Sequence, residues 1–252
     1  MIRKFLCIAA GVMTLACSNI ALAAQPVPAS IQSAIADAGR PAADKARDAV
    51  RKPAELLTMM GVGTGDKVGD FIMGGGYFTR LFSVAVGPAG RVYGYQPAEF
   101  ISFLPKYGTD QDAVAAAYAN VTPLRASLGA FAFPEPLDVI FTAQNYHDFH
   151  LGYMPPPAVA AVNKALFNSL KPGGVLLLID HSAIDGSGTR DTAKLHRIDI
   201  ATVKAELTAA GFVLEAESDL LRSPSDPRTA SVFDDAIKGR TDQFILKFRK
   251  PR

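Results

Sequence analysis

Apolar positions along this chain follow two rhythms: short unbroken runs, and runs spaced by three or four residues. Val68-Gly69-Asp70-Phe71-Ile72-Met73 is of the first kind and ends in Gly74-Gly75-Gly76. Phe78, Leu81, Phe82, Val84 and Ala85 follow at once with the spacing of a helix face. A strand, a glycine turn and a helix are predicted there. Gly90 to Pro97 reads as a second strand with Gln96 near its end, and Leu137-Asp138-Val139-Ile140-Phe141-Thr142 as a fourth. A helical pattern from Pro157 to Leu170 is stopped by Pro172 and Gly173. The all-apolar run from Val175 to Ile179, ending at Asp180, then suits a strand buried on both faces of a parallel sheet. A helix from about Asp199 to Ala210, a Gly211 cap, a strand from Phe212 to Ser218 and a last strand from Gln243 to Arg249 complete the series. Strands alternating with helices predict an α/β domain.

The N-terminus has a different pattern. Arg3 and Lys4 precede an apolar stretch from Phe5 to Leu15, and Ala21-Leu22-Ala23 offers small residues, so residues 1–23 are expected to be a cleaved secretory signal. The apolar stretch is short for a membrane span, and Thr14-Leu15-Ala16 before Cys17 departs from a lipoprotein signal. The expected compartment is the periplasm or the exterior. Cys7 and Cys17 both lie in this signal, so the mature chain would have no thiol, no disulfide and no cysteine nucleophile. Loss of Arg3 and Lys4 would bring the 26 basic residues level with the 24 acidic ones, which gives no indication of a nucleic-acid partner. The Ala/Pro-rich residues 24–44 read as a flexible lead, and residues 45–252 as one domain. Within it Lys45 to Met60 is helical in pattern, with Val50, Leu56, Leu57 and Met60 as buried positions, and Gly61 to Gly65 is a turn into the first strand.

A glycine turn between a strand and a helix lets main chain approach a ligand and offers it free N–H groups. The pattern Asp70-x-Ile72-x-Gly74-x-Gly76 lacks the third glycine of a dinucleotide fingerprint. It resembles the first motif of class I S-adenosylmethionine (SAM) methyltransferases, with Ile72 where the first glycine usually stands. The Leu170-Lys171-Pro172-Gly173-Gly174 turn and the strand after it are similar to a later motif of that family. More narrowly, Gly-Gly-Gly-Tyr-Phe-Thr-Arg at 74–80, Asn-Tyr-His-Asp at 145–148 and His-Arg-Ile-Asp at 196–199 resemble exported methyltransferases of Gram-negative bacteria. The resemblance covers roughly Leu56 to Lys250. It implies a Rossmann-like, seven-stranded, mostly parallel sheet with an antiparallel last strand, and SAM as cofactor.

The resemblance further implies a cofactor site at Asp70, Gly74, Gly75, Gly76 and Tyr77. Gln96 stands where an acidic residue normally holds the SAM ribose, and Glu99 lies close enough to substitute. No carboxylate follows the third strand, so Leu128 and Phe131 are left to pack on the adenine. In open α/β sheets ligands bind at the carboxyl ends of strands. Asn145, Tyr146, His147, Asp148 and His150 cluster after the fourth strand, and Asp180 and His181 end the fifth. Methyl transfer needs alignment and removal of a proton from the acceptor. Asn145, Tyr146, His147, His181 and His196 are the expected acceptor-side residues, with His147 or His181 as the base. Ser182 to Thr189 is expected to be a mobile lid, Asp199 a helix cap, and Arg197 a partner for an acidic acceptor or for a carboxylate of its own chain. No metal is assigned; Asp148 and Asp180 are the residues that would hold one. The expected activity is methyl transfer to a small molecule. The alternatives are a binding protein of the same fold that has lost SAM, and metal-assisted hydrolase or lyase chemistry by the His/Asp cluster.

Overall fold

The computed structural model describes residues 26–151 and 159–252. The expected signal at 1–23, and the start of the helix expected from Pro157, lie outside them. Seven strands form one sheet: β1 (Lys67–Phe71), β2 (Arg91–Pro97), β3 (Val121–Ala126), β4 (Leu137–Ala143), β5 (Leu170–His181), β6 (Val213–Ser218) and β7 (Gln243–Arg249). Their order is β3-β2-β1-β4-β5-β7-β6, with β7 antiparallel to both β5 and β6 and the remaining pairs parallel. The expected fold class is observed. Strand order reverses between β1 and β4, which opens a crevice at their carboxyl ends.

Period-two alternation sends side chains to two cores. Leu176 and Leu178 of β5 join Phe71, Ile140, Leu246 and Phe248 on one face, under Val162, Leu166, Val203 and Leu207 of two helices. Leu177 and Ile179 join Val68, Phe141 and Ile245 on the other, under Leu56, Leu57, Phe78, Leu81 and Phe82. Full burial of each such side chain is worth about 1.5–3 kcal/mol. Gly69 is required by packing, since a Cβ there would come 2.8 Å from Leu137 and 2.9 Å from Phe133.

Two expectations about the N-terminal region are corrected. The flexible lead is ordered over the described part of 24–44: Ala29–Ala36 is a helix with Ile31 and Ala34 fully buried against the Tyr77–Val86 helix. Arg40 secures the following turn with two hydrogen bonds to the Asp48 carboxylate, at 2.6 and 2.9 Å. The single helix expected from Lys45 to Met60 is instead three pieces, Ala42–Lys45, Asp48–Arg51 and Pro53–Met60. Pro53 disfavours a right-handed helical residue before it, and Lys52 sits at φ 50°. The break rotates the face, so Val50 is 55% exposed while Leu56, Leu57 and Met60 are buried as expected.

Candidate functional site

The chain leaves β1 through a strained turn. Ile72 has φ 66°, a conformation rare for a β-branched residue, and it occupies the position where a glycine would be unstrained. Gly74 at φ 55° and Gly76 at φ 80° continue the turn, and Gly76 precedes the Tyr77–Val86 helix. A Cβ on Gly74 would meet nothing within 4 Å, and one on Gly75 only Asp110 Oδ2 at 3.6 Å, so this backbone faces open space. Gly76 differs, since its Cβ would lie 2.5 Å from Val114. Gln96, fully buried, accepts from the Gly74 N–H at 3.0 Å, and its Nε2 finds no partner among the described residues.

A cavity of about 310 Å³ lies between this turn and the residues after β4. Asp70, Gly74, Gly75, Tyr77, Asn145 and Asp148 line it, joined by Arg47, Arg51, Phe100 and Tyr107. Asp70 is buried and accepts from the Thr79 hydroxyl at 2.5 Å. Burial pushes its carboxyl up to about 7, against the opposing pull of Thr79 and Arg51. Arg51 is the unexpected member. Burial and the neighbouring Arg47 hold its guanidinium below the usual range. It stands 4.8 Å from the Tyr77 ring centroid, and among the described residues its side chain hydrogen-bonds Gln144 alone, at 3.5 Å. Among the described residues no carboxylate pairs with it. A half-buried guanidinium without a carboxylate is a receptor for a planar anion.

A second cavity of about 400 Å³ adjoins the first and shares Arg47, Arg51, Phe78, Ala143 and Gln144 with it. His181, Lys238 and Thr241 line its other side. Burial pushes His181 down to about 4, so its ring is neutral at pH 7, and its Nδ1 lies 2.8 Å from the Thr241 hydroxyl.

His147 takes a different role. Asp180, fully buried, accepts from its main-chain N–H and pairs with its Nδ1, both at 2.8 Å, and also accepts from the His181 N–H at 2.7 Å. Burial alone would lower His147, but Asp180, and Asp148 after it, raise it above its ordinary value. Its Nε2 lies 3.3 Å from His196 Nδ1 and 3.3 Å from Asp148 Oδ1.

Several expected site residues lie elsewhere. Tyr146 does not face the cleft: it is fully buried, donating to Glu206 and accepting from Asn163, both at 2.7 Å. Gln96 and Glu99 do not line the cavity; Gln96 holds Gly74, and Glu99 accepts from the Leu128 N–H at 3.2 Å. Leu128 and Phe131 belong to the core, where Phe131 packs 4.7 Å from Phe71 between ring centroids. Asp180 is filled by its three donors and does not join Asp148. The Asp199 carboxylate accepts from Ala201 N–H as the expected cap, and also from Gly186 and Gly188 N–H. It therefore pins the loop expected to be a lid. Arg197 pairs with Asp226 of its own chain at 2.8 Å, both side chains fully buried. Asn145 lines the cavity but spends its amide on Thr142, Ala143 and Ile72.

No protein-family model matches the sequence, and no curated protein is significantly similar to it. Solved structures do match. A SAM-dependent methyltransferase from Aquifex aeolicus is 19% identical with a TM-score of 0.55, over 81% of this chain and 92% of that one. One from Mesorhizobium loti is 18% identical with a TM-score of 0.55, over 81% of this chain and all of that one. The fold is that of class I SAM-dependent methyltransferases. The cyclase SpnF shares it too, at 16% identity and a TM-score of 0.54 over 88% of this chain and 91% of its own. One fold thus hosts more than one chemistry, and function must be argued from the site.

Proposed function

We propose that the chain binds SAM in the cavity at the end of β1 and transfers its methyl group to a small-molecule acceptor in the adjoining cavity. The observation that carries this is the meeting of open Gly74–Gly75 backbone with the unpaired Arg51 guanidinium at the switch point of the sheet. Those residues fit the amino-acid end of SAM: Arg51, with Arg47 beside it, for the carboxylate, and Asp70 for the positive charge. The Phe100 and Tyr107 rings offer faces to a sulfonium cation. Gln96 and Glu99 are engaged elsewhere, so the ribose contacts implied by the family resemblance are not supported by this chain.

Bound SAM supplies a methyl group already activated by its sulfonium. The chain's own residues then have to align the acceptor and take its proton. The His181 ring lines the acceptor cavity and is neutral, so it is the imidazole placed to take that proton, as a base weakened by burial. His147 lines neither cavity, so its Nε2 does not face the acceptor. Arg47, Arg51 and Lys238 around the acceptor cavity favour an acceptor that carries negative charge. We further propose that the chain is exported and acts in the periplasm, on the strength of residues 1–23 and the resemblance to exported methyltransferases. Isothermal titration of the purified protein with SAM should give one saturable site. Gly75→Val should abolish it with unchanged melting temperature, because a Cβ is sterically tolerated there yet fills the space of the ligand. A Gly75→Val protein that binds SAM normally would contradict the assignment.

A further inference from the structure

Beside the cleft three donor atoms converge that the proposed methyl transfer does not use. His147 Nε2, Asp148 Oδ1 and His196 Nδ1 stand 3.3, 3.3 and 3.8 Å apart. Donors held by one tetrahedral ion through bonds of about 2.0–2.1 Å are separated by about 3.4 Å. Points equidistant from these three atoms start about 2.0 Å from each, in their plane, so an ion lying just off that plane makes bonds of about 2.1 Å, the length of a zinc–nitrogen or zinc–oxygen bond.

Protonation makes the arrangement directional. The Asp180 carboxylate accepts two main-chain N–H bonds and faces His147 Nδ1 at 2.8 Å, so Nδ1 is the donor of that ring. In the neutral ring Nε2 then presents a lone pair to Asp148, an acceptor against an acceptor. A proton on Nε2, an N–H donated by His196 or a cation shared by the three groups relieves this, and the last engages all three donor atoms at once. Carboxylate–histidine–metal relays are built this way, the carboxylate fixing the tautomer and orientation of the ligand. His196, the C-cap of the Thr192–Leu195 helix, is also held in place. Its backbone is left-handed at φ 53°, and its ring packs 4.8 Å from Phe233. Strain of this kind is retained where it sets the aim of a side chain.

We propose that His147, Asp148 and His196 bind a divalent ion of the zinc type, with Asp180 as the positioning residue behind His147. Two imidazoles and one carboxylate suit zinc or a neighbouring transition ion and not magnesium or calcium. Asp148 and His196 keep 17% and 23% side-chain exposure, and Asp148 lines the first cavity, so the fourth coordination position opens towards the cleft for water or an oxygen ligand. The site does not depend on SAM binding and is distinct from the Asp148–Asp180 pair expected from sequence.

Chelator-treated protein titrated with zinc chloride should take up one ion per chain by calorimetry, and cobalt(II) should give the visible absorption of a tetrahedral site. His196→Asn removes the imidazole while tolerating the left-handed backbone, and should weaken zinc at least about 100-fold with the same circular dichroism. Asp180→Asn should weaken it about 10–100-fold. His150→Gln, outside the triad, should leave it unchanged. Absence of stoichiometric zinc binding, or a His196→Asn protein that binds as tightly as the parent, would overturn the proposal and leave a hydrogen-bonded histidine pair. SAM titration of the same metal-free protein reports separately on the proposed methyltransferase site.

Discussion

Burial raises the Asp70 carboxyl to about 7, so its charge changes across the neutral range. The raised value means that the folded state holds a proton that the unfolded chain releases near pH 4. Asp70 therefore favours folding below pH 4, and that contribution, roughly 4 kcal/mol, is lost as pH rises from about 4 through 7. Binding runs the other way. SAM affinity should increase between pH 6 and 8 as the carboxylate forms near the sulfonium, and Asp70→Asn should flatten that profile; a profile unchanged by Asp70→Asn would place the titrating group elsewhere. Arg197 and Asp226 illustrate a residue pair with a structural role alone. Removing one partner of a buried ion pair strands the other charge, so Asp226→Asn should cost about 3–5 kcal/mol in urea unfolding. The sequence made His147, Asp148, His181 and His196 visible as a group because histidine and aspartate are chemically conspicuous at strand ends. Tyr146 was misplaced because burial, not position in the motif, decides which way a side chain after β4 points. Arg51 was missed although Arg47 and Arg51 have helical i,i+4 spacing, since nothing local says that this helical turn folds back over the glycine turn.

Elements fixed by strong local patterns were legible. The buried character of β5 follows from its unbroken apolar run at 175–179, and the bounds of β7 from Phe244, Ile245, Leu246 and Phe248 after the turn residues at 239–242. The Ala29–Ala36 helix was not legible, for a physical reason. Two turns of helix are unstable alone in water, so their stability comes from the partner surface, which an Ala/Pro-rich composition does not display. Its contribution is measurable. Ile31→Ala should destabilise the protein by about 2–5 kcal/mol, because Ile31 is fully buried against the helix that follows the glycine turn. A change below about 0.5 kcal/mol would restore the reading of this segment as a loose lead.

At the scale of the whole molecule, topology locates the cleft and side chains decide its use. The reversal of strand order between β1 and β4 places the glycine turn, Asn145 and Asp148 around one crevice, and the N-terminal pieces close it with Arg47 and Arg51. Sequence motifs specify the first half of that arrangement, because β1 and its turn are contiguous. The second half depends on packing between segments far apart in the chain. Since the same fold serves a cyclase, the central claim is the specific one: this crevice reads the amino-acid end of SAM through Arg51. The most direct measurement is a calorimetric cycle in which the parent and Arg51→Met proteins are each titrated with SAM and with decarboxylated SAM. The parent should bind SAM at least about tenfold more tightly than its decarboxylated analogue, and Arg51→Met should abolish that difference, as expected for a lost charge-assisted hydrogen bond of about 1.5–3 kcal/mol. Equal preference for the carboxylate in both proteins, or no SAM binding by the parent, would contradict the account.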